Sequence, residues 1–150
     1  MTQELIVFQK MLKDKSAAQL INYANQHGFD GYDLAVRPGY IVNPDNVDSA
    51  LADVVGQMRR HGLTVPMVTG HLDLLWPDQP YAKTLLAAMD QADVRLLKLG
   101  YFRFDPHEQD YWQMVDRVRQ AFAGWQELAA RYNVKVCYHT HGDRCMGLNA

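Results

Sequence analysis

Five short apolar runs punctuate the chain. Leu5-Ile6-Val7-Phe8 comes first, followed by residues 31–37 (GYDLAVR), 64–71 (TVPMVTGH), 95–101 (RLLKLGY) and 134–141 (VKVCYHTH). Between them lie four stretches whose apolar residues recur at helical spacing. Strand-length runs alternating with amphipathic helices predict a parallel sheet wound by repeated β/α units. The expected class is α/β, a partial (β/α) TIM barrel of five parallel strands and four helices.

The helices can be placed from caps and stops. Ser16 caps the first, which runs to about Gln26 with Leu20, Ile21 and Ala24 on its apolar side and Gly28 as its stop. The second starts after Pro44-Asp45 and carries Val47, Leu51, Val54, Val55 and Met58 until Gly62 ends it. The third spans roughly Tyr81 to Gln91 through Leu85, Leu86 and Met89. The fourth and longest runs from about Gln109 to Tyr132, and Trp112, Val115, Val118, Phe122, Trp125 and Leu128 are read as one stripe packed on the sheet.

Side chains alternate between the two faces of a strand, which sorts the polar residues. Asp33, Ala35 and Arg37 look one way and Tyr32, Leu34 and Val36 the other; Lys98 falls opposite Leu97 and Leu99; Cys137, His139 and His141 fall opposite Val134, Val136 and Tyr138. One face is apolar enough to lie under helices. The other gathers charge and imidazole at the C-terminal ends of the strands, where β/α barrels carry their active sites.

Composition narrows the function classes. With 150 residues, 48% of them hydrophobic, and a net charge of −2, the chain is expected to be one soluble domain that buries a sizeable core. Nucleic acid is not an expected partner, because the basic pairs Arg59-Arg60 and Arg117/Arg119 sit on helical stretches as solvated faces. Membrane is excluded as well: no run approaches the roughly 20 apolar residues of a span, and Leu5–Phe8 is too short for a secretory core. Cys137 and Cys145 lack the spacing of a metal or redox motif and fit reduced thiols in the cytoplasm. A complete barrel needs eight strands and about 200 residues or more, so the chain is expected to be a little more than half of one, with residues 142–150 (GDRCMGLNA) as the loop and first residues of a further helix. Its first and fifth strands are then expected to be open edges and the chain to be a homo-oligomer.

Taken together, several segments resemble the sugar phosphate isomerase/epimerase family, the xylose isomerase-like barrels. The segments are residues 28–39 (GFDGYDLAVRPG) with an acidic residue in the second strand, residues 65–69 (VPMVT), residues 97–103 (LKLGYFR), and residues 138–142 (YHTHG) in a polar fifth strand. The resemblance runs from Leu5 to His141 and covers the N-terminal part of that barrel. It departs from the family in having Asp33 where many members have Glu and His in the fifth strand where others have an acidic or amide residue. The metal-binding and acid/base residues the family takes from its last three strands would lie beyond Ala150. The resemblance implies carbohydrate metabolism and isomerisation or epimerisation of a sugar or sugar phosphate, assisted by a divalent metal (Mn, Mg, Zn or Co) and without a nucleotide cofactor.

Such chemistry needs a group that takes a proton beside a carbonyl, a group that returns one, and a positive centre for the enediolate. The candidates are Asp33, His71, Lys98 and His141. Lys98 is the candidate positive centre, with the plainer alternative that it only bridges a carboxylate such as Asp33. Arg37, Tyr101 and Arg103 are candidate substrate contacts, and each arginine has the alternative of a loop ion pair with Asp105 or Asp45. His139-x-His141-x-Asp143 puts two imidazoles at period two, so His139 and His141 are the candidate metal ligands. His27, His61 and His107 read as cap or surface residues. Two other classes compete: a non-catalytic half-barrel remnant or oligomerising scaffold, and a metal-dependent amidohydrolase, whose His pair belongs on the first strand rather than the fifth.

Overall fold

The structure is a computed structural model that describes residues 3–142 and 144–147. Its strands are β1 (Ile6–Phe8), β2 (Gly31–Ala35), β3 (Thr64–Thr69), β4 (Leu96–Lys98) and β5 (Lys135–Cys137), joined by α1 (Ala17–His27), α2 (Val47–Arg60), α3 (Ala82–Gln91) and α4 (Tyr111–Ala130). All four strand pairings are parallel, in the order β1-β2-β3-β4-β5, so β1 and β5 are the edges as expected.

Local chemistry sets the boundaries. Ser16 and Gln19 form a reciprocal capping box at the start of α1, and Gly28 closes it in the left-handed conformation. Asp110 caps α4 by accepting from the Gln113 amide. Pro66 sits inside β3 without an amide to give. The register shifts there, four residues of β3 (Thr64 to Met67) spanning three of β2 (Gly31 to Asp33), which is a β-bulge. Gly31 is required at this point, because a Cβ would lie 2.0 Å from the Thr64 carbonyl oxygen.

The face under the helices carries Tyr32, Leu34, Val68 and Leu97, all fully buried in one core with Leu20, Leu51, Met58, Leu86, Met89 and Trp125. The opposite face carries Phe8, Asp33, Met67, Thr69, Leu96, Lys98 and Cys137, matched in register. Strand parity is thus as the sequence alternation implies.

Three expectations need correction. The ordered strands are shorter than the apolar runs, most of all at the end of the chain, where β5 stops at Cys137 and residues 138–141 are not strand. Trp112 is not in the stripe that packs on the sheet. It is 68% exposed, whereas Trp125 is 0% exposed. Thirteen residues separate them, about 220° of rotation at 3.6 residues per turn, and the buried Met114 and Ala121 are in phase with Trp125 rather than with Trp112. Finally, residues 144–147 do not begin a helix: Cys145 bridges Arg103 in antiparallel fashion and Met146 bonds back to the Phe102 carbonyl at 2.8 Å.

Candidate functional site

The C-terminal end of the sheet holds two groups of polar side chains. The first is buried. Lys98 at the end of β4 reaches across β3 to Asp33 on β2, Nζ to Oδ2 3.2 Å, with the two side chains only 14% and 8% exposed. Thr69, between them on β3 and fully buried, donates its hydroxyl to Asp33 Oδ1 at 2.5 Å. Both carboxylate oxygens are therefore engaged, and the burial of two charges is offset by a hydroxyl as well as by their mutual attraction. The Lys98 ammonium also lies 4.3 Å from the centre of the Phe8 ring, an additional cation–π attraction.

Arg37 extends this group. Its Nε donates to the Gly70 carbonyl at 2.9 Å and its guanidinium carbon stands 5.5 Å from the Phe8 ring centre. Two cations thus share the Phe8 ring, which pairs in register with Asp33. Nearby donors lack a partner among the described residues: Gln9 Nε2, on a fully buried residue whose Oε1 accepts the Ala35 amide, and the buried Tyr81 hydroxyl. Burial is the main reason Tyr81 resists ionisation; the Asp73 charge adds to this and Arg37 opposes it.

His71 lies one residue beyond Gly70, whose amide donates to the Lys98 carbonyl at 2.9 Å. Its Nδ1 accepts from the Asp73 amide at 3.3 Å, with the Asp73 carboxylate 3.4 Å away, so it is held by its own loop.

The second group is exposed. Tyr101, two residues beyond Leu99, lies against both imidazoles that follow β5: its ring centre is 4.7 Å from that of His141 and 6.2 Å from that of His139, and its hydroxyl is 3.5 Å from His139 Nδ1. Because β5 ends at Cys137, strand alternation does not extend to these residues; contact with Tyr101 groups them instead. The two imidazole centres are 6.0 Å apart. His141 Nδ1 is 3.1 Å from the Gly142 carbonyl, which can only accept, so Nδ1 carries the proton and Nε2 is left as the donor atom for a metal. The pair fits as two ligands. Asp143 lies outside the described residues, and among the described residues no third His, Cys, Asp or Glu completes a metal set.

Arg103, exposed, bridges to Cys145 beside the Asp105–Arg144 ion pair at 2.6 Å. His27 packs against Tyr23 with ring centres 4.4 Å apart, the exposed His61 places Nδ1 2.9 Å from the Gln57 carbonyl of α2, and the exposed His107 donates its backbone amide to Asp105 Oδ1 at 3.0 Å, as surface residues do. Sequence reasoning missed Thr69, Phe8, Gln9 and Tyr81. For the first two the signal is register: Phe8 pairs with Asp33, and Thr69 with Lys98.

No protein family model matches the chain, and no curated protein matches its sequence. Solved structures do match in fold. A 3-keto-D-glucoside 4-epimerase from E. coli is similar over 97% of this chain and 59% of its own, at 14% identity and a TM-score of 0.69. The IolI protein solved with a zinc atom is similar over 95% and 54%, at 12% identity and a TM-score of 0.71. A D-allulose 3-epimerase from Methylomonas sp., solved with D-allulose, is similar over 95% and 53%, at 12% identity and a TM-score of 0.67. The chain thus spans a little over half the length of the structures it matches. Among the described residues no helix is long and apolar enough to cross a membrane. The five parallel strands and four helices of the chain share the (β/α) barrel fold of these structures over about half of their length.

Proposed function

We propose that this chain is the N-terminal portion of a (β/α)8 sugar isomerase or epimerase, occupying residues 1–150, and that Lys98 is the positive centre of its proton-transfer site. The observation that carries this reading is the Lys98 ammonium held by Asp33 at the C-terminal end of a parallel sheet, 3.2 Å from the carboxylate. A proton leaves the carbon beside the substrate carbonyl, the electron pair moves onto the carbonyl oxygen, and the enediolate oxygen is stabilised by Lys98; a proton then returns to carbon. Asp33, with both oxygens occupied, positions Lys98. His71 is the proton carrier, and Arg37 and Tyr101 contact the sugar or sugar phosphate. His139 and His141 would supply two nitrogens to a divalent metal, which when bound would polarise the substrate carbonyl. Both free cysteines suit a reducing cytoplasm. The open β1 and β5 edges favour assembly of copies.

The test is proton–deuterium exchange at the carbon beside the carbonyl of D-fructose or D-allulose, followed by NMR in D2O. Lys98→Met is expected to lower the exchange rate ~100-fold and His71→Ala by ~10 to 100-fold. Undiminished exchange in Lys98→Met, with the fold intact by circular dichroism, would remove Lys98 from the reaction.

A further inference from the structure

We infer that the loop between β4 and α4, with the first turn of α4, is a second carbohydrate subsite that binds a neutral sugar ring beyond the reacting one. Phe104, Tyr111 and Trp112 form a continuous aromatic ledge: Phe104 meets Tyr111 edge-on at 5.6 Å and Tyr111 meets Trp112 edge-on at 5.2 Å. Tyr111 is 43% and Trp112 68% exposed, a large apolar area to leave in water at the start of a helix. A depression of about 300 Å³ adjoins the ledge, lined by Phe104 with Arg103, Asp105, Glu108, Gln109 and Arg144.

Three properties point to a sugar ring rather than another ligand. First, the polar lining is made of planar groups with paired donors or acceptors, the shapes that bond the neighbouring hydroxyls of a ring, while the half-buried Phe104 ring is the aromatic wall for its C–H side and Tyr111 and Trp112 extend that aromatic surface outward beyond the depression. Second, the charges balance, two arginines against two carboxylates, and Arg144 is already tied to Asp105 at 2.6 Å. A balanced pocket does not select for phosphate or a carboxylate. Third, the loop is built rather than loose. The Phe104 amide donates to the Arg144 carbonyl at 2.8 Å, Gln109 Oε1 accepts the Asp105 amide at 2.7 Å, and Asp110 caps α4. The subsite opens from the loop that follows Lys98 and Tyr101, so it lies at the same end of the sheet as the proposed reacting centre. The substrate class is therefore a glycoside of at least two rings. That statement about the substrate rests on the sugar reading of the Lys98 centre, whereas the subsite rests on its own residues.

Titration calorimetry with D-glucose, maltose and cellobiose tests it. At least one disaccharide is expected to bind ten times more tightly than glucose. Trp112→Ala, at an exposed position that leaves folding unaffected, is expected to abolish that advantage, as is Glu108→Ala by a different contact. Lys98→Met should weaken glucose and disaccharide alike and keep their ratio. Measurable glucose binding with no gain for either disaccharide, or a gain that survives both subsite variants, overturns the subsite while leaving the Lys98 reading in place. Absence of all sugar binding overturns both. Trp112→Ala that turns an oligomer into a monomer by light scattering, with disaccharide affinity unchanged, would mean that the ledge joins copies of the chain, and would also overturn the subsite.

Discussion

The Asp33–Thr69–Lys98 group and the Tyr101–His139–His141 group lie at the same end of the sheet, yet they are made in opposite ways. In the first, each charged atom has a protein partner, the side chains are nearly out of water, and three adjacent strands hold them in register. In the second, the imidazoles are exposed, stand beyond the last residue of β5, and touch mainly one another and a tyrosine ring. A rigid buried pair can fix a charge where a reaction develops one, because little has to reorganise when the substrate arrives. An exposed pair with free nitrogen atoms can take up a ligand from solution, but it does little for the fold. The comparison predicts that substitutions in the first group are read mainly in stability and those in the second mainly in binding.

The largest effect is expected from separating the buried partners. Asp33→Ala leaves the Lys98 ammonium 14% exposed with no carboxylate and leaves the Thr69 hydroxyl without its acceptor. The expected cost is about 3–5 kcal/mol in urea unfolding, the usual range for breaking a buried pair. Lys98→Met should cost somewhat less, because the Asp33 carboxylate loses its cation but keeps the Thr69 hydroxyl as a donor, and a long apolar side chain still covers Phe8. The double variant Asp33→Leu/Lys98→Met should be more stable than Asp33→Ala, since no buried charge is left unpaired. If Asp33→Ala costs under about 1 kcal/mol, the pair is effectively solvated and the contrast between the two regions fails.

How much of this was legible from the sequence differs by region for a physical reason. Strand parity placed Asp33 and Lys98 on one face because side-chain alternation is a local property, and the Asp33–Lys98 bridge followed as one of two stated roles for the lysine. The ends of strands are not local. They depend on which neighbour supplies hydrogen bonds, and β5 has a partner on one side only, so the run 134–141 looked like a long strand but pairs only over Lys135–Cys137. The α4 stripe failed at Trp112 because small errors in helical phase add up over 13 residues, while Trp125 and Leu128, at its C-terminal end, were placed correctly. Thr69 was visible as a strand residue. Its role as a bond donor to Asp33 depends on the bulge at Pro66, which sets the register of β3 on β2 and has no signature except the proline itself.

The helix-facing side sharpens the same comparison through pH. Tyr32 is fully buried and donates its hydroxyl to the Leu20 carbonyl at 2.7 Å. Burial, with a smaller contribution from Tyr23, pushes its phenol up to about 12. The unfolded chain ionises this tyrosine near 10 and the folded chain only near 12, so the stabilisation is complete below pH 10 and is lost as pH rises toward 12. The loss amounts to about 3 kcal/mol at the upper end. Tyr32→Phe should cost about 1 kcal/mol at neutral pH and should unfold less steeply in alkali, as measured by chemical denaturation between pH 9 and about 12. A wild type and a variant with the same alkaline slope would show that Tyr32 is not shielded.

Next in size is Gly100→Ala, at the turn that leads from β4 to Tyr101. A Cβ there would lie 1.9 Å from the Leu72 carbonyl oxygen, which is backbone and cannot step aside as a side chain could. The loop after β3 must therefore shift, at an expected cost of about 1–3 kcal/mol. Since the Gly100 amide also donates to the Leu74 carbonyl at 3.1 Å, the shift should reach His71, and heteronuclear NMR should show the His71 ring displaced more than the His139 ring. Equal displacement of both would mean that the two regions move as one body.

The smallest change in stability is expected at the exposed pair, and it is the sharpest check on the comparison. His139→Ala and His141→Ala remove imidazoles that are exposed and outside any strand, so each should alter unfolding free energy by no more than about 0.5 kcal/mol. Their effect should lie in metal uptake. Two nitrogens bind Zn²⁺ more tightly than one, and loss of either should weaken a calorimetric Zn²⁺ titration by ~10-fold or more while the Asp33→Ala variant, if folded, titrates like the parent. The Tyr101 hydroxyl, 3.5 Å from His139 Nδ1, orients one ring, so Tyr101→Phe should weaken Zn²⁺ by a smaller factor through His139 alone. If both His variants bind Zn²⁺ as the parent does, the two imidazoles are neighbours without a shared ligand, and only the proposed sugar contact of Tyr101 is left to the exposed region.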